Sequence, residues 1–102
     1  MGFLVSITTM EQPQPCKTCE ESHLYEKNKK TISNDIKLLD DFLSGAIFAI
    51  AQKPEAFPIL NNQTLIRSIK VNGALRLPNV IIYFKDLEEK IILCDIEIEI
   101  PS

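Results

Sequence analysis

Four cations in the C-terminal third carry the chemistry this sequence could do: Arg67, Lys70, Arg76 and Lys85. Cations spaced along strands can hold a phosphate backbone or an acidic protein surface. Metal-independent RNA cleavage would need such charges for the phosphate, a base for the 2′-hydroxyl and an acid for the leaving oxygen. Alternation limits the idea. Arg67 shares a strand face with Ile69 and Val71, whereas Lys70 lies on the other face with Ile66. They cannot all converge without a twist or a bulge. The sole histidine, His23, is remote in sequence and falls in a weakly patterned helix.

A second set of chemistry-bearing residues is Cys16-Lys17-Thr18-Cys19, which has the spacing of half a zinc site. On a helix, Cys16, Cys19 and His23 would share a face, and Cys94 would have to supply a fourth ligand. One Cys-x-x-Cys without a second ligand pair is a weak signal. Cys94 sits in an apolar strand and reads as a small core residue. The expectation is no metal and no cofactor. A redox role ranks lower, because nothing else resembles a thioredoxin. With three glycines there is no phosphate-cradling loop.

The elements that must position these residues belong to one domain, residues 1–102. Apolar residues make up 45% and charged residues 25%, which is ordinary for a soluble globular protein. No apolar run approaches the roughly 20 residues needed to cross a bilayer. The N-terminus has no basic region before its short apolar run, so a cytoplasmic location is expected. The net charge of −3 argues against a protein that coats nucleic acid. The basic excess is local: residues 63–90 hold five cations against three acids, while Asp95, Glu97 and Glu99 make the tail acidic.

Along the chain, Phe3 to Thr9 is rich in β-formers and reads as a first strand. Two prolines make residues 10–15 a linker. Cys16 to Lys30 is polar and reads as a helix. Ser33 to Gln52 reads as a stronger helix, capped by Ser33, with Asp35 in its first turn. Its stripe is Ile36, Leu39, Leu43, Ala46 and Ile50, widened by Phe42 and Ile47. Pro54 ends it near Gln52. The run Leu65 to Val71 is a strand, and Asn72-Gly73 is expected to turn it tightly into Ala74–Leu77. Val80 to Lys85 and Lys90 to Ile100 are further strands. On the last, Ile92, Cys94, Ile96, Ile98 and Ile100 share one face, with Ile91, Leu93, Asp95, Glu97 and Glu99 on the other. The predicted fold is α+β: an N-terminal strand, two helices, then a three- or four-stranded antiparallel sheet.

This order resembles the RelE/ParE toxin superfamily of type II toxin–antitoxin systems. The resemblance covers roughly residues 32–98 and is a pattern, not a signature motif. It rests on Ala51-Gln52-Lys53-Pro54-Glu55-Ala56-Phe57-Pro58, similar to the family's P-x-x-F-P connection. It also rests on Ile66-Arg67-Ser68-Ile69-Lys70-Val71, Leu75-Arg76-Leu77-Pro78-Asn79, Ile81-Ile82-Tyr83-Phe84 and the closing Ile91-Ile92-Leu93-Cys94-Asp95-Ile96. The resemblance implies a cytoplasmic bacterial toxin held inactive by an antitoxin protein. Its targets would be the ribosome and messenger RNA, or DNA gyrase. Arg67 and Arg76 match positions where ribonuclease members keep phosphate-binding cations, and Tyr83 matches an aromatic that is usually architectural. The chain departs from the ribonuclease pattern: such members are basic whereas this net charge is −3, and the catalytic side chain that several keep after the last strand is not expected beyond Pro101-Ser102. Enzymatic activity is therefore left open, and a non-catalytic interaction module of the same fold is the alternative.

The last strand also sets an expectation about partners. An apolar strand at a sheet edge invites another chain. A second copy or an antitoxin segment is expected to cover it, unless the strand Phe3–Thr9 pairs there instead.

Overall fold

A computed structural model describes residues 17–74 and 76–100 of the chain. The predicted strand Phe3–Thr9 and Cys16 lie outside the described residues. In chain order the elements are β1 (Thr18–Glu21), α1 (His23–Ile32), α2 (Ile36–Gln52), a 3-10 turn (Pro54–Ala56), β2 (Ile59–Asn61), β3 (Ile66–Val71), β4 (Val80–Asp86) and β5 (Lys90–Ile98). The fold class is α+β. The sheet, however, is five-stranded and mixed, in the order β1-β5-β4-β3-β2, with β1 parallel to β5 and the other pairs antiparallel.

The polar segment 16–30 is therefore only partly helical. Its first half is β1, a strand whose side chains are mostly exposed. Backbone pairing with β5 holds it, together with ion pairs at both strand ends: Lys17 to Asp86 at 2.6 Å and Lys90 to Glu20 at 3.2 Å. Ser22 then stops the strand and starts α1. Its Oγ accepts from the Tyr25 amide at 3.1 Å and donates to the Cys94 carbonyl at 2.8 Å. This arrangement also places β5 between β1 and β4 over residues 90–93. The last strand is thus not an edge along its first half, and the segment covering it is Thr18–Glu21.

The long helix forms where its stripe predicts, with a corrected start. Asp35, not Ser33, is the N-cap: its Oδ1 accepts from the Leu38 amide at 3.0 Å. Ser33 instead terminates α1. Leu39, Leu43 and Ile50 are fully buried against Val80, Ile82, Phe84, Ile91, Leu93 and Ile96 of the sheet, and Tyr25 of α1 completes the cluster. The turn Pro54–Ala56 brings Phe57 edge-on to Phe84, with ring centroids 6.0 Å apart and planes at 84°.

Two local expectations are overturned by non-local pairing. First, Asn72-Gly73 is not a two-residue hairpin turn, and Ala74, Arg76 and Leu77 lie in no strand. Residues 72–79 connect β3 to β4, and no described glycine has positive φ. Gly73 is there for space: a Cβ would lie 2.3 Å from the Leu77 carbonyl oxygen and 2.6 Å from the Pro78 carbonyl carbon. Its amide donates to Asn79 Oδ1 at 2.6 Å. Gly73→Ala is expected to destabilise by about 1–3 kcal/mol, because backbone must move to admit the methyl; a urea unfolding midpoint unchanged from the parent would contradict this.

Second, β5 does not keep one alternation. Tyr83 pairs with Asp95 and Phe84 with Leu93, so Cys94 is an extra residue, a bulge. The bulge moves Ile96 onto the core face with Ile91 and Leu93, all three at most 1% exposed. The sequence pattern had placed Ile96 with Ile92 and Cys94. It also leaves Cys94 and the adjacent Asp95 both lining the opposite face.

Candidate functional site

The sheet has two unlike faces. α2 covers the face carrying Ile69, Val71, Ile82 and Phe84. Pairing register puts Ile66, Ser68 and Lys70 of β3 beside Lys85, Tyr83 and Ile81 of β4 on the other face. These residues are half-buried, save Lys70, which is exposed. α1 packs beside β5, turning Tyr25 into the core and Leu24 toward the open face.

A groove of about 470 Å³ lies on this open face. Leu24 lines it from α1, and Leu60 and Thr64 line it from β2 and the turn after it. Its sheet residues are Ile66, Tyr83, Cys94, Asp95 and Glu97. The bulge is what brings Asp95 to Tyr83. The Tyr83 hydroxyl donates to Glu97 Oε2. That bond, with partial burial and the negative charges of Glu97 and Asp95, pushes the phenol up to about 12. Tyr83 is therefore a neutral donor at physiological pH and a poor base. Asp95 Oδ1 accepts from Asn28 Nδ2 and from the Ile96 amide, each at 2.7 Å. Burial pushes the Cys94 thiol up, against the opposing pull of Lys85, so it is not an activated nucleophile.

The sequence-derived candidates do not assemble into one cationic site. Tyr83, Lys85 and Lys70 share the open face. Arg67 lies on the opposite one, as its alternation requires, and its guanidinium donates to the Phe57 carbonyl at 2.5 Å. Lys70 pairs with Glu99 at 3.1 Å. Arg76 is exposed in the connection 72–79. The groove lining contains Tyr83 but none of the four cations.

Leu24 and Leu60 carry no signal of a site in the sequence, whereas Asp95 and Glu97 read from sequence as acids of the last strand that could select a basic partner. The Asp95-x-Glu97 spacing was visible, but only the β4–β5 register aligns it with Tyr83. The cysteine arrangement also separates. Cys19 packs against the core side of the sheet, whereas Cys94 faces the groove. His23 is exposed at the start of α1. Among the described residues no group of three or more His, Cys, Asp or Glu could hold a metal ion, and no helix is long and apolar enough to cross a membrane.

No protein-family model matches the chain, and no curated protein matches it.

Proposed function

We propose that this chain is a RelE/ParE-like toxin of a bacterial toxin–antitoxin pair that acts by binding a protein target, in the manner of gyrase inhibition, through the groove on its open sheet face. The observation that carries the reading is the lining of that groove. Apolar Leu24, Leu60 and Ile66 stand beside the Tyr83–Glu97 pair and Asp95. That is the make-up of a protein interface, with an aromatic anchor, apolar walls and fixed polar groups. It is the wrong make-up for phosphate, since two carboxylates line it and Arg67 is committed to Phe57 on the far side. Support for the family reading is the order strand, two helices, then antiparallel strands, and the turn through Pro54 that seats Phe57 on Phe84.

Inducible expression in bacteria tests this, with growth, messenger RNA integrity and DNA supercoiling followed together. The expected result is growth inhibition with intact messenger and altered supercoiling. Leu60 is 55% exposed, so Leu60→Asp should fold and abolish the inhibition. Tyr83→Phe removes a hydroxyl from an exposed bond and should cost only about 0.5–1 kcal/mol in stability. Cleaved messenger that becomes intact with Tyr83→Phe would overturn the reading in favour of a ribonuclease. No growth effect with any co-expressed partner absent would favour the non-catalytic interaction module.

A further inference from the structure

We infer that the groove recognises a basic, apolar peptide segment of a protein partner, with a lysine or arginine head held by Asp95 and Glu97. The inference rests on the reading that this face is the binding face and adds the chemistry of its occupant. Each carboxylate is already oriented by the protein through one oxygen: Asp95 Oδ1 by Asn28 and the Ile96 amide, Glu97 Oε2 by Tyr83. The remaining oxygen of each accepts no hydrogen bond from the described residues. Two oriented acceptors side by side on an open groove form a receptor for a cation, at little ordering cost. The bulge at Cys94 is what aims Asp95 at this spot.

The walls specify the rest of the occupant. Leu24 and Leu60, 48% and 55% exposed, face the same groove and offer it two apolar walls. A segment alternating basic and apolar side chains satisfies both carboxylates and walls. A nucleic acid does not, because its phosphates would meet Asp95 and Glu97. Lys85 shares the face but does not line the groove, and no ion pair joins Asp95 or Glu97 to a cation among the described residues.

The test is an amide NMR titration of the full chain with two synthetic twelve-residue peptides, one alternating leucine with arginine, the other leucine with glutamate. The basic peptide is expected to produce saturable shifts at Leu60, Ile66, Tyr83 and Glu97, and the acidic one none. Asp95→Asn combined with Glu97→Gln keeps acceptors for Asn28 and Tyr83 while removing the charge. It should weaken the basic peptide about tenfold and flatten its salt dependence. Equal binding of the acidic peptide, shifts centred on another surface, no shifts, or a double variant that binds like the parent would each overturn the inference. In the expression assay, growth inhibition lost with Leu60→Asp but retained by the charge-neutral double variant would refute the basic occupant alone. Inhibition that survives Leu60→Asp would refute the binding face itself.

Discussion

Phe84→Ala is expected to destabilise the protein by about 3–5 kcal/mol, a large share of the roughly 5–15 kcal/mol that holds a small domain folded. Phe84 is fully buried in the middle of β4. Its neighbours in the ladder are Arg67 on one side and Leu93 on the other. Its ring meets Phe57 edge to face. Truncation leaves a cavity that the flanking strands cannot close without breaking their ladders. It also removes the anchor of the turn that ends α2. Urea unfolding should show the midpoint fall with little change in slope. Leu87→Ala, at an exposed leucine in the β4–β5 turn, should stay within about 0.5 kcal/mol of the parent. A loss below about 1 kcal/mol at Phe84 would show that this ring is not in the core.

Lys29→Ala carries the second-largest expected effect, about 3 kcal/mol. Lys29 is 6% exposed. Its ammonium meets Glu21 of β1 at 2.7 Å and Asp40 of α2 at 2.8 Å, and lies 5.6 Å from the centre of the Tyr25 ring. One side chain thus ties β1, α1 and α2 together. Removing it strands two carboxylates next to each other. The effect sits at the low end for a buried ion pair because Glu21 and Asp40 keep 30% and 51% of their side-chain exposure and remain partly hydrated.

The same cluster sets the alkaline limit. Burial alone pulls the Lys29 ammonium down, but the bonds to Asp40 and Glu21 outweigh it and raise its pKa above the ordinary 10.5. Burial, then the charges of Glu21, Asp40 and Cys19, raise the Tyr25 phenol above its ordinary 10.0. In both cases the folded value exceeds the unfolded one. Their stabilisation is therefore complete below pH 10.0 and is lost as pH rises through the folded values. Stability measured by urea should be level from neutrality to about pH 9.0, where the raised Cys94 thiol begins to contribute, and should fall more steeply above pH 10.0. Tyr25→Phe should make the fall shallower. It should also be neutral or stabilising by up to about 1 kcal/mol, because the Tyr25 hydroxyl is buried with no hydrogen-bond partner among the described residues. A loss of more than 1 kcal/mol in this variant would reveal a partner for the hydroxyl.

The residues that determined structure by themselves did so through short-range patterns. The three-four spacing of Leu39, Leu43 and Ile50 with Pro54 beyond it suffices for α2 and its end at Gln52. The alternation of Val80, Ile82 and Phe84 suffices for β4 and its buried face. The same alternation correctly separates Arg67 from Lys70. Each of these patterns is carried by side chains within a few residues of one another.

Only the tertiary structure decided the rest. β1 has a polar sequence because its strand character comes from backbone hydrogen bonds to β5, and backbone bonds leave no side-chain signature. Gly73 serves a close approach to Leu77 and Pro78 rather than a tight turn, which depends on where the connection 72–79 folds back. The extra residue at Cys94 shows only in the register of β5 against β4. From that register follow the burial of Ile96, the pairing of Tyr83 with Glu97 and the groove beside them. Local periodicity can assign a residue to a face. Which residues meet across a face is set by strand order and register, and those depend on contacts up to 72 residues apart in the chain.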